Sequence, residues 1–120
     1  MNKKEISKAC SRLWSEIVLT LHPYCEVCNR PSQDPHHFFP KGMCSILKFV
    51  VDNGVGLCRN CHIAHHFRGD PKIHQTIIEK RGKEWYENLK KQSLVLHSSY
   101  KTKDWFQRSL EELNKIYKEI

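Results

Sequence analysis

The chain has 120 residues, 39% of them hydrophobic, with 20 Lys and Arg against 13 Asp and Glu and a formal net charge of +7. That length points to one domain with a small core, and the longest apolar runs, such as Ile17–Leu19 and Phe49–Val51, are far too short to cross a bilayer. The N-terminus is charged and amphipathic with no apolar signal core, so secretion and membrane anchoring are not expected. A cytoplasmic, reducing compartment is, and there paired cysteines point to metal more than to disulfides. The positive balance suits a polyanionic partner.

In chain order, Ile6, Cys10, Leu13, Trp14, Ile17, Val18 and Leu21 recur at three- and four-residue spacing, which predicts a helix over 3–21. Pro23 ends it, because proline disfavours helical geometry in the residue before it. Residues 24–58 hold most of the turn formers, and within them His37–Phe39 and Ile46–Val51 are read as the short strands of an irregular hairpin. Residues 59–67 read as a short helix. Asp70-Pro71 opens a helix through Lys80 that ends at Gly82, and another follows over about 83–93. After a loop at 94–101, a last amphipathic helix over 102–119 turns Trp105, Phe106, Leu110, Leu113, Ile116 and Tyr117 inward. The expected organisation is one domain over 1–120. It has an N-terminal helix (1–22), a metal-stapled core (23–68) and C-terminal helices (69–120).

Two cysteine pairs, Cys25-x-x-Cys28 and Cys58-x-x-Cys61, frame the predicted hairpin. A tetrahedral zinc needs two rigid turns that each present two sulfurs, and this spacing supplies them, with Pro23 and Pro31 stiffening the first. A redox pair would open a helix after a strand in a βαβ context, which the pattern lacks. Cys10 falls on the apolar face of the first helix and reads as core, and Cys44 fits neither pair and reads as free.

Five of the eight histidines lie between positions 36 and 66. His62 and His66, four apart on a helix, form a chelating pair for a divalent metal, and His36 can supply a third ligand from the opposite strand. Adjacent strand residues face opposite ways, so His36 and His37 divide the work: one binds metal and its neighbour activates water. His65 lies about 100° around the helix from His66, and its role stays open. His22, His74 and His97 fall outside the cluster and are given no catalytic role.

With these residues in place, Cys25–His66 resembles an HNH (ββα-metal, His-Me finger) endonuclease of the zinc-stapled kind. Residues 35–93 look more narrowly like the phage NinG/Rap recombination nucleases. The features they share are His37-Phe38-Phe39, Lys48-Phe49 then Asp52-Asn53, His66-Phe67-Arg68-Gly69, and Arg81-Gly82 before a Trp/Leu-bearing helix. The resemblance implies an α+β fold, a small ββα-metal core with a four-cysteine zinc site embedded in a mainly helical domain. It makes His37 the general base and Asn53 the residue fixing the loop that faces it. His36, His62 and His66 become ligands of one catalytic divalent ion (Mg²⁺, Mn²⁺, Ni²⁺, Co²⁺ or Zn²⁺), and Zn²⁺ at the cysteines is structural. Gly54 follows Asn53 where many members carry Leu, a change expected to loosen the hairpin. The all-histidine shell favours Zn, Ni, Co or Mn more than Mg.

The activity implied is hydrolysis of DNA phosphodiesters in a bacterial host cell, with Lys41, Lys48, Arg59 and Arg68 as phosphate contacts and the protein a monomer or homodimer. Two other classes compete. A zinc-binding DNA module without catalysis needs the cysteines and the charge but has no use for a histidine triad beside a free imidazole. A recombination partner with a decayed nuclease core is disfavoured by the presence of Asn53 and both helix histidines.

Overall fold

The first helix forms where the spacing predicts. In the computed structural model, which describes residues 1–42, 45–94 and 101–120, α1 runs Lys3–Leu21. A capping box closes its start: Asn2 Oδ1 accepts from the Glu5 N–H at 2.9 Å while Glu5 Oε1 accepts from the Asn2 N–H at 3.2 Å. Among the described residues there are five α-helices and one two-stranded antiparallel sheet, an α+β arrangement. After α1 come β1 (Asp34–His37), β2 (Gly54–Leu57), α2 (Arg59–Arg68), α3 (Lys72–Arg81), α4 (Lys83–Ser93) and α5 (Lys103–Glu119). No helix among them is long and apolar enough to cross a membrane. Cys44 and His97 lie outside the described residues.

The hairpin is built differently from the expectation. The apolar run 46–51 is not a strand: 3-10 turns at Ser45–Leu47 and Val51–Asn53 occupy this stretch, and Leu47 and Phe49 are buried. The returning strand is Gly54–Leu57, and it pairs His37 with Gly54, His36 with Val55 and Asp34 with Leu57. Intrinsic preference favours Ile and Val over Gly in strands, so the sequence pattern points to the wrong segment. Packing reverses the preference. Val55 and Leu57 fill one core, whereas Gly54 and Gly56 let α1 and the residue after it lie close against the strand. A Cβ on Gly54 would overlap the Val18 side chain and crowd Trp14, and one on Gly56 would crowd the His22 carbonyl. Gly54 therefore tightens the seat of the hairpin on α1, contrary to the loosening expected from its sequence context.

Two apolar clusters result. In the first, Ile6, Cys10, Trp14, Ile17 and Val18 of α1 meet Phe106 and Leu113 of α5 around Phe49. Cys10 is fully buried there, its thiol raised to about 11 by burial, as a core residue should be. Tyr117, expected to face inward, is 45% exposed and stands outside the cluster that Phe106, Leu113 and Ile116 of α5 join. The second cluster gathers Phe38, Val55, Leu57, Ile73 and Ile77, with Trp85 and Tyr86 of α4 against it.

Arg81, at the end of α3, joins the helices to the hairpin. Its Nε and one terminal nitrogen donate to the two Glu26 carboxylate oxygens, both at 2.7 Å, and it also reaches the Gly54 and Asp52 carbonyls at 2.8 and 3.1 Å. A bidentate, half-buried pair of this kind holds geometry better than a surface pair. His22 also accepts from Arg81 at 3.1 Å.

Candidate metal centre

The four cysteines converge as their spacing requires. One sulfur from each of Cys25, Cys28, Cys58 and Cys61 lies within 4.8 Å of the others, with Cys28 and Cys58 at 3.5 Å. A tetrahedral zinc with Zn–S of about 2.3 Å sets its sulfurs roughly 3.8 Å apart, so this cluster fits a structural zinc with small adjustments. The first turn is closed by Cys25 N–H to the Arg30 carbonyl (2.6 Å) and Asn29 N–H to the Cys25 carbonyl (2.9 Å). Asn29 takes the left-handed conformation at φ 65°, which asparagine tolerates well. Cys58 serves also as the N-cap of α2, its sulfur accepting from the Cys61 N–H at 3.4 Å. Burial works against ionisation of Cys25, but backbone N–H donors from Cys28, Cys58 and Val27 outweigh it and bring the thiol down to about 7.

The histidines converge too, and more of them than expected. His36 is 3% exposed and stands at the centre, with the ring centroids of His62, His65, His66 and His74 all between 5.0 and 5.2 Å from its own. His62 and His66 sit one turn apart on α2, centroids 4.5 Å apart. Two sets of three nitrogens come within 4.8 Å of one another: His36, His62 and His66, and His36, His65 and His74. Sequence position sets His74 outside the cluster, and the fold corrects this. Its Nε2 is 2.9 Å from His36 Nε2, and its ring stacks on His65 on one side and Phe38 on the other. Burial first, then the surrounding imidazoles, push His36 down to about 2 and His74 to about 4, so both are neutral near pH 7 and can act as ligands.

Asp34 supplies the outer support for the first set. Its Oδ2 is 3.0 Å from His62 Nδ1, which leaves His62 Nε2 as the nitrogen available to a metal, and its Oδ1 pairs with Arg59 at 3.3 Å. Burial opposes its charge, but His62 and Arg59 outweigh that and lower its pKa.

His37 faces away from the cluster centre, as adjacent strand positions should. It lies flat on the Trp14 indole, centroids 4.0 Å apart and planes 9° apart, and its Nε2 is 3.0 Å from the Lys48 carbonyl. A carbonyl can only accept, so Nε2 carries the proton and Nδ1 the lone pair. Burial first, and then the Lys41 and Lys48 charges, lower its pKa despite that bond.

Asn53 is fully buried, and its side chain ties the loop together: Oδ1 accepts from the Phe39 N–H at 2.8 Å, and Nδ2 donates to the Phe39 and Leu47 carbonyls at 3.1 and 3.4 Å. Its own carbonyl accepts from the Phe38 N–H. It thus shapes the loop that carries Lys48, and the Lys48 carbonyl is what contacts His37.

A pocket of about 380 Å³ brings His36, His37, His62 and His66 together with Lys41 and Lys48. Arg59 and Arg68 lie at the two ends of α2, outside that lining. Sequence reasoning misses His74 and Asp34, though each leaves a signal. His74 follows Ile73 and precedes Ile77 by three, beside the inward face of α3. Asp34 is two residues before His36, on the same face of the strand. Comparison with family models, curated proteins and solved structures finds no match for this chain.

Proposed function

We propose that this chain is a metal-dependent endonuclease of the HNH kind that hydrolyses DNA phosphodiesters, structure-selective and associated with recombination. The observation that carries the reading is the pocket in which a neutral imidazole, His37, shares the lining with the His36/His62/His66 set and two lysines. The order strand, strand, helix, with one histidine ligand on β1 and two on α2, fits the ββα-metal arrangement.

His37 Nδ1 takes a proton from a water in the pocket, and the Lys48 carbonyl fixes the tautomer in which that nitrogen is free. Trp14 holds the ring in plane from behind. Lys41 and Lys48 attract the phosphate. His36, His62 and His66 would hold a divalent ion, whose chemistry there would be Lewis-acid stabilisation of phosphate charge. Asp34 orients His62 for that role.

The test is incubation with supercoiled, nicked, forked and four-way DNA in the presence of Mg²⁺, Mn²⁺, Co²⁺ or Ni²⁺, and with EDTA. We expect metal-dependent cutting that disappears in EDTA and in His37→Ala. Intact DNA under every metal would overturn the reading in favour of a non-catalytic zinc-binding DNA module.

A further inference from the structure

The nuclease reading uses three of the five clustered histidines. His65 and His74 are left over, yet they are better anchored than surface residues need to be. His74 is clamped between the His65 and Phe38 rings, with centroids at 4.1 and 4.2 Å, and its Nε2 meets His36 Nε2 at 2.9 Å. Nitrogens on a tetrahedral zinc-class ion at about 2.0–2.1 Å stand roughly 3.4 Å apart, so a slight opening of this contact admits one. His65 completes the set within 4.8 Å, from the same helix that carries His62 and His66.

We propose that His36, His65 and His74 form a second metal set, exclusive with His36/His62/His66, which takes one zinc-class divalent ion and holds the cleavage site inactive while filled. Exclusivity follows from the shared residue. A neutral imidazole has one lone pair available for a metal, and bridging two ions would require removing its second proton. The inner set draws on α3, while the outer set lines the pocket with His37. An ion in the inner position removes His36 from the outer set. Three imidazoles favour Zn²⁺, Ni²⁺ or Co²⁺ over Mg²⁺ in either set, and the inner set competes for them with ligands that are all at least partly buried, whereas His66 of the outer set is exposed. The inactivating half of the proposal rests on the nuclease reading; the binding half does not.

The test is titration of Co²⁺ into the full chain with zinc already at the cysteines, followed by visible absorption and calorimetry. Wild type is expected to take one Co²⁺ in the cluster. His62→Ala/His66→Ala and His65→Ala/His74→Ala should each still take one, with different spectra, and His36→Ala should weaken binding at least about 100-fold, as loss of a shared ligand requires. A folded His62→Ala/His66→Ala protein that takes no Co²⁺, or a wild type that takes two, would overturn the proposal. Should that variant fail to fold, wild type loaded with isotope-enriched cadmium decides the matter. Metal coupling to the ring nitrogens of His65 and His74 is expected, and its absence sinks the idea. Excess zinc should inhibit cutting by wild type and much less by His65→Ala/His74→Ala; equal inhibition of both overturns the inactivating half. Failure of wild type to cut DNA at all would remove the nuclease reading and leave the binding result standing.

Discussion

The cysteine cluster and the histidine cluster are built on one short hairpin and the helix that follows it, where Cys61 and His62 are neighbours, and they differ in how many ligands they bring. The cysteines number four, drawn from two tight turns, as many as a tetrahedral ion accepts. The histidines number five, drawn from β1, α2 and α3, and any set of three leaves a coordination position to fill. A saturated site has nothing to offer a substrate and can only hold the chain together. An unsaturated one beside a pocket can do chemistry. The same hairpin therefore carries a fastener and a candidate reaction centre, separated by a few residues and distinguished by ligand count.

The largest effect should come from breaking the fastener. Cys58→Ser removes a ligand and alters the α2 cap together. Structural zinc contributes about 10–16 kcal/mol of apparent binding energy in zinc-finger peptides, against a total stability of about 5–15 kcal/mol for a typical domain. Zinc content and the cooperative melt should be lost together. A zinc-free variant that melts like wild type would erase the distinction between the two clusters.

His37→Ala should do the converse. Cleavage is expected to fall by about 10²–10⁴, with divalent-metal affinity in calorimetry unchanged. If His37→Ala lost the metal and His36→Ala kept it, the roles of the adjacent pair would be reversed.

Gly54→Ala tests whether the hairpin's seat on α1 matters as much as its metals. The added methyl meets Val18 and Trp14, so urea denaturation should show a loss of roughly 1–3 kcal/mol. Gly42→Ala, with open space around it, should change far less.

On the pocket side, Lys41→Ala should flatten the salt dependence of DNA affinity by about 0.9 in the log–log slope, the value for one phosphate contact on duplex. The loss should be equal on unrelated sequences. Arg59, already paired with Asp34, should change that slope less.

The smallest effect concerns His22, which belongs to neither ligand set and whose pKa is lowered chiefly by burial and then by Arg81, against the pull of Glu26. Its neutral form is the one the fold accommodates. The stability it contributes is therefore complete above about 6.5, the unfolded value, and is lost as pH falls through that value towards the lower folded one. His22→Gln, which keeps an acceptor for Arg81, should make melting temperature less steep over that acid interval.

Local chemistry is legible in the sequence where it depends on spacing. The cysteine pairs, the i, i+4 histidines and the amphipathic α1 all sit where their intervals put them, because turn and helix geometry convert sequence interval directly into distance. The return strand is not legible. Gly54-Val55-Gly56-Leu57 is a strand because α1 needs the space its glycines leave, and that need arises only once the chain has folded back. His74 escapes for a related reason, since its place beside His36 depends on how α3 packs on the sheet.

The stack of Trp14 on His37 has an optical consequence. An imidazolium in contact with an indole quenches its fluorescence more strongly than a neutral imidazole does. In a chain whose other two tryptophans are replaced, Trp85→Phe and Trp105→Phe, the emission of Trp14 would then report the charge on His37 directly. The protein carries its own indicator, built into the wall of the pocket, which needs neither DNA nor a dye to be read.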